Sequence, residues 1–420
     1  MESKEAIKPP WVLSASAWQR RKQPSPALDA LLFTPWAEDA EAAALMQAKA
    51  KITALEASKR WELIKKMVNP YEMVYTHEDP AFHPSISMIK PLSRSYFKLI
   101  EMLHVMQFYE ELPKQNPKLR TAHVAEGPGG FIQAVVELAT RHKKILSKAT
   151  AMTLRPTDPH VPGWRRAAGF LHHHKEVKLI YGADNTGNVY NIENQKAFVE
   201  SVAPGVHLFT ADGGFDFSVN YSIQEKSVFH LLVCSAAIGL QSLLQGGSMV
   251  LKIFDMYSES TRILLLLMSR CFREWMIYKP ALSRPCNSER YFLAKGFLGI
   301  TPKMIKLFEL IQLKSDEGVF PSGFATLASE EEADYFKAHM EENAAYQFAA
   351  LSKADMYVHK SQEWYTKQLP LDFEMSLRWC HAFRVPPQMT QPRAISARLL
   401  TAEQTSSPCD LQQSRSLDDA

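Results

Sequence analysis

"VAEGPGGFIQAVVEL", Val124 to Leu138, sets a carboxylate, three glycines and a proline between an apolar run and a helix-like run. Strand, tight turn and helix together make the half-unit of an α/β nucleotide-type pocket. The turn brings backbone close to a ligand, and the helix N-terminus adds partial positive charge. The GxGxxG fingerprint is missing, which argues against a dinucleotide, and the glycine turn carries no Walker lysine followed by Ser or Thr, which removes the P-loop reading. What remains is a short E-G-P-G-G-F turn.

Outward from that turn the chain alternates. The helix "SYFKLIEMLHVMQFYEEL" precedes the strand "TAHVAE", and the helix "FIQAVVELATRH" follows the turn. Strands are predicted at "KATAMTL", "VKLIYG", "HLFTAD", "SMVLKIF" and "RYFLAKGF", with long helices at 225–244 and 258–274. Short apolar strands alternating with helices predict an α/β fold with a parallel or mixed sheet covered on both faces. In such a sheet Glu126 stands where a carboxylate can meet an ammonium group, such as the amino end of S-adenosylmethionine. A purely structural turn is the competing expectation.

Residues 1–35 are rich in Pro, Ser and Trp, carry Arg20-Arg21-Lys22, and read as a flexible arm. Residues 36–68 read as a helical N-terminal extension, 301–387 as a helical C-terminal extension, and 388–420 as a disordered tail. The 420 residues carry a formal net charge of +3, which excludes a histone-like polycation but allows a local basic surface. The five cysteines form no CxxC pair, so free thiols are expected and a zinc site is not. No apolar run suits a secretory signal or a membrane span, so an intracellular, soluble protein is expected.

Four ionisable residues occur in apolar surroundings. Lys98 follows Tyr96 and Phe97 on a predicted helix, Asp212 ends "HLFTAD", Lys252 interrupts "SMVLKIF", and Glu289 precedes "RYFLAKGF". Singly, each reads as a solvated charge or a satisfied ion pair, except Lys252. A lysine inside a hydrophobic strand needs a partner, because burying its charge is costly. Two lysines and two acids at one crevice would make chemical sense. A second ammonium and partial desolvation would both lower a lysine's pKa and let it act as a general base.

The order Lys98, Asp212, Lys252, Glu289 resembles the Lys-Asp-Lys-Glu tetrad of FtsJ/RrmJ-like ribose 2′-O-methyltransferases, and most of all their mRNA cap-specific branch. The motifs that carry the resemblance run in order: "NPYE" (Asn69–Glu72), "SRSYFKL" (Ser93–Leu99), "EGPGGF" (Glu126–Phe131), "AMTLR" (Ala151–Arg155), "ADGGFD" (Ala211–Asp216), "GGSMVLKIFD" (Gly246–Asp255) and "SRPCNSERYFLAKGF" (Ser283–Phe297). They cover roughly 69–300, the expected methyltransferase domain. "WCHAFRVPP" resembles the end of such a domain.

The resemblance implies a Rossmann-like methyltransferase fold with a seven-stranded type of mixed sheet. It implies S-adenosylmethionine as cofactor, lying across Glu126, Gly127, Pro128, Gly129, Gly130 and Phe131, with Asp212 beside it. Asn188 would be near the adenosine, although it stands where the family has an acid. Lys252 would take the proton of a ribose 2′-OH, assisted by Lys98, with Asp212 and Glu289 tuning both. Capped RNA is the implied substrate, with other capping machinery as further partners, and the location nuclear, or cytoplasmic for a viral enzyme. A ribosomal or transfer RNA methyltransferase, and a catalytically silent RNA-binding relative, are the alternatives.

On the RNA side, Arg284, Asn287 and Ser288 precede Glu289 and are candidates for a phosphate or ribose. Arg165-Arg166 and Arg20-Arg21-Lys22 read better as solvated faces. A methylated guanine cap would need an aromatic sandwich. Trp11, Trp18, Trp36 and Trp61 are candidates. His172–His174 in "LHHHKEV" read as a surface strand start rather than a metal site. Asp158 reads as a Pro-flanked turn residue and the acidic helix at 329–343 as a solvated face.

Overall fold

The structure, a computed structural model, describes residues 17–20, 31–37, 61–76, 85–112, 118–156, 163–214, 224–358, 360 and 362–388. Trp11, Arg21, Lys22, most of the helix expected at 36–68, Asp158, Cys409 and the tail beyond Gln388 lie outside them. The chain divides into two units, Met1–Trp61 with Pro91–Lys353, and Glu62–Lys90 with Ala354–Ala420.

The first unit is built on strands β1 (Gln19–Arg20), β3 (Leu119–Val124), β4 (Leu146–Met152), β5 (Val177–Ile180), β6 (Val206–Ala211), β7 (Leu243–Ile253), β8 (Phe272–Tyr278) and β9 (Arg290–Phe297). They form one sheet in the order β1-β8-β9-β7-β6-β3-β4-β5. Five neighbours, β5, β4, β3, β6 and β7, are parallel. β9 inserts antiparallel between β7 and β8. The expected seven-stranded mixed sheet is thus present, with the two-residue β1 added antiparallel on the β8 edge. A separate ribbon pairs β2 (Leu32–Pro35) with β10 (Val319–Ser322).

Core and topology follow from the apolar runs. Phe209, Phe229, Ile238, Met249, Ile263 and Phe292 all lie in one buried cluster around the β6–β7–β9 centre. Helix starts carry the expected caps: Asn191, Ser258 and Thr301 accept from the first-turn amides of the helices Ile192–Ser201, Glu259–Ser269 and Pro302–Asp316. The helix expected over 258–274 stops at Ser269, and "FREWMIY" becomes β8 instead. The helix expected over 95–112 breaks at Gln107, whose φ of 52° is left-handed, leaving Ser95–Val105 and Phe108–Glu111. His172 and His173 close the short helix Ala168–His173, so the expected strand start there is corrected; β5 begins at Val177. No described helix is long and apolar enough to cross a membrane.

The second unit holds "NPYE" and "WCHAFRVPP". Asn69 donates to Glu72 at 2.9 Å, both buried, and the Ser376 hydroxyl of the Gln362–Ala382 helix donates to the Pro70 carbonyl at 3.1 Å.

Candidate active site

The direction of winding reverses between β3 and β6, which makes their carboxyl ends the crevice of the fold. Glu126 follows β3 there and Asp212 follows β6, while Lys252 is the penultimate residue of β7. β9 runs the opposite way, so its amino end lies at the carboxyl end of β7. That reversal brings Glu289, just before β9, to the same edge.

The glycine turn is tightly constrained. Ala125 takes a left-handed φ of 55° and Gly129 one of 105°, and Gly129 starts the helix Gly130–Arg141. A Cβ on Gly129 would lie 3.3 Å from the Trp164 ring, and one on Gly130 only 2.2 Å from Ser93 Oγ. Gly130 therefore lets the helix start pack against "SRS", a protein contact rather than an opening for a ligand.

Glu126 is buried at 4% exposure. Thr210 donates to its Oε1, while its Oε2 has His123 Nδ1 at 3.3 Å and no hydrogen-bond donor among the described residues. Burial raises its pKa, against the pull of His123 and Thr210. A buried carboxylate oxygen without a donor suits an incoming ammonium group.

The four polar residues converge. Lys98 Nζ meets Glu289 Oε1 at 2.6 Å, and Lys252 Nζ lies 3.5 Å from Asp212 Oδ1 and 3.7 Å from Glu289 Oε2. Burial opposes ionisation of Glu289, but the ammonium groups of Lys98 and Lys252 win and hold it well below the usual carboxylate range. For Lys252, burial lowers the pKa, yet Asp212 and Glu289 outweigh it and the net shift is upward. The lowered lysine expected from the sequence is thus reversed in this structure, because each ammonium faces a carboxylate before it faces the other ammonium.

Several residues of the site were not singled out in the sequence. Tyr291, directly opposite Lys252 in the β7–β9 register, donates to Asp212 at 2.8 Å and lies 3.2 Å from Glu289. The Phe131 ring packs 6.0 Å from that of Tyr291, so the glycine turn and the tetrad touch. His123 bridges Thr121 and Thr210 beneath Glu126. The signal for Tyr291 was its spacing: two residues after Glu289 on a strand places both on one face.

Ser288 is buried and its hydroxyl donates to Gln224 at 2.6 Å, which gives it a partner inside the protein. Asn287 is exposed and Arg284 partly so. Asn188 lies in a loop that its own polar groups tie together: its carbonyl accepts from Asn194 and its side chain from the Tyr190 amide. Of the tryptophans, Trp36 packs edge-on against Phe229 and Phe320, Trp61 is buried, and Trp18 faces Lys295. Among the described residues no group of His, Cys, Asp and Glu could hold a metal ion.

Residues 91–297 match the family model described as FtsJ-like methyltransferase, so the resemblance read from the motifs stands over that span. The chain is 30% identical over 283 residues to the cap-specific mRNA (nucleoside-2′-O-)-methyltransferase 1 of Xenopus laevis, covering 63% of this chain and 31% of the relative. It is 32% identical over 228 residues to the enzyme of the same name from Trypanosoma cruzi, covering 52% of this chain and 60% of the relative. The chain therefore spans about a third of the first relative and under two thirds of the second. An rRNA methylase structure from Streptococcus thermophilus is 13% identical, with a TM-score of 0.29, over 50% of this chain and 98% of that one.

Proposed function

We propose that this chain, matched over residues 91–297 to the FtsJ-like methyltransferases, methylates the ribose 2′-OH of a nucleotide near the 5′ cap of mRNA. The observation that carries the reading is the meeting of Lys98, Asp212, Lys252 and Glu289 at the crevice that also holds Glu126. The cap assignment draws on the names of the relatives.

Glu126 and the turn Gly127–Phe131 are the residues to hold S-adenosylmethionine, with the donor-free Glu126 oxygen toward its amino group. When bound, that cofactor supplies an electrophilic methyl group on a sulfonium sulfur. Lys252 Nζ would accept the proton of the 2′-OH as the oxygen takes the methyl group, whose bond to sulfur breaks and leaves the sulfur a neutral thioether. Lys252 must be neutral to do so, and the positive charge of a bound cofactor would lower its pKa from the resting state. Lys98 holds Glu289, and Asp212 and Glu289 orient Lys252. Positioning and exclusion of water supply much of the remaining acceleration. Arg284 and Asn287 are the candidates for contact with RNA.

The test is mass spectrometry of RNA incubated with labelled cofactor, using capped transcripts with the first nucleotide bare or premethylated, and uncapped controls. Methylation of the ribose at a cap-proximal nucleotide of capped RNA alone supports the proposal. Methylation of internal positions regardless of the cap moves the chain to the ribosomal or transfer RNA class. Replacing Lys252 by Ala should leave cofactor binding intact and lower turnover by about 10²–10⁴; turnover at the wild-type rate overturns its assignment as base.

A further inference from the structure

Lys279 follows β8 directly and precedes the connection Pro280–Ser288, is buried at 6% exposure, and pairs with no carboxylate among the described residues. Its ammonium donates to Ser283 Oγ at 3.1 Å, the Asn287 carbonyl at 2.6 Å and the Glu289 carbonyl at 3.0 Å. Three donors meet three acceptors. A buried ammonium is costly without such partners, and a Met would fill the same space without the cost.

Acceptors come from both limbs of the connection. Its first limb is fastened to the helix that carries Lys98. Glu101, three residues after Lys98, accepts from Tyr278 Oη at 2.6 Å and from the Ala281 amide at 2.8 Å, and Arg94 donates to the Leu282 carbonyl at 2.9 Å. Lys279 then ties the second limb, which ends in Glu289, back to the first.

We propose, on the functional reading above, that Lys279 is a positioning residue: it staples the Pro280–Ser288 connection shut, which sets Glu289 against Lys98 and keeps Arg284 and Asn287 in place beside it. It touches none of the reacting atoms and acts through the backbone on either side of Ser288.

The experiment compares Lys279→Met and Lys279→Arg in the full chain by three readouts: hydrogen exchange of amides 280–290, calorimetric affinity for S-adenosylmethionine, and kcat and KM on capped RNA. In the Met variant, exchange should quicken about tenfold and kcat should fall about 20-fold with cofactor affinity nearly unchanged, while Arg, which keeps donors, recovers part of kcat. A folded Met variant whose exchange and kcat both match wild type overturns the proposal. If the Met variant does not fold, Ser283→Ala decides: faster exchange with a lower kcat supports the staple, and neither change overturns it. A wild-type chain that binds cofactor but methylates no RNA overturns the functional reading instead, and loop exchange then judges Lys279 by itself.

Discussion

Lys252 faces two carboxylates, and the protonation state this imposes decides how the reaction should respond to pH. Its pKa is raised, so the resting side chain is an ammonium across the neutral range. The base is the neutral amine, so kcat/KM in single-turnover assays should climb with pH, about tenfold per unit, until the working pKa is reached. A profile flat from pH 6 to 9 would remove Lys252 from that role. Tyr291 adds a second test. Its hydroxyl donates to Asp212 and lies within reach of Glu289, which reduces the negative potential these acids exert on Lys252. A hydrogen bond to a charged group is worth about 1.5–3 kcal/mol. Tyr291→Phe removes it without opening the core, so Lys252 should hold its proton more firmly. The rate at pH 7 should drop about tenfold and the rising limb should move to higher pH. A uniform loss with an unmoved limb would mean that Tyr291 serves packing alone.

At the scale of elements, the turn that opens the fold makes its own prediction. Gly130→Ala drives a methyl to 2.2 Å from Ser93 Oγ and 2.3 Å from Ser95 Oγ, so the helix start must shift away from "SRS". Cofactor affinity should fall at least about tenfold, since Glu126–Phe131 moves with it. Adding Ser93→Ala and Ser95→Ala should restore part of the affinity, measured by titration; no recovery would place the cause elsewhere. The elements were unevenly legible. Strands β3, β4, β5, β6, β7 and β9 showed as apolar runs between turn signals. β8 did not, because "RILLLLMSRCFREWMIY" reads as one helical stretch until Arg270 and Cys271 turn the chain. The reversed direction of β9 leaves no mark in composition, yet it is what carries Glu289 to the crevice. The tetrad was legible as a set only by resemblance. Its internal pairing, and so the upward shift of Lys252, depended on side-chain positions that spacing does not give.

For the molecule as a whole, buried charges set how stability depends on pH. Glu289 has a lowered folded pKa, so it stabilises above the ordinary carboxylate range and loses that contribution as pH falls through its folded value. Lys279 acts with the same sign, but over a higher pH window. Burial, then the neighbouring Arg290 and Lys98 charges, push its pKa from 10.5 down to about 7, against the pull of Glu289 and Asp255. Between those values the unfolded chain binds the proton and the folded chain does not. Stability from this residue therefore rises with pH across the window, by up to about 1.4 kcal/mol per unit, and is flat below it. Lys279→Met loses the hydrogen bonds of the side chain, three from the ammonium and at most two from the neutral amine, and has no proton to exchange. The loss of bonds offsets the two unfolding free energies from each other, whereas the proton changes their slope. Urea denaturation of both proteins at pH 7, 8 and 9 should thus show the wild type gaining on the variant as pH rises. Cysteines and other titrating groups common to both cancel in the difference. Parallel pH dependences would mean that Lys279 keeps its proton in the folded state, with its three hydrogen bonds outweighing the cost of burial.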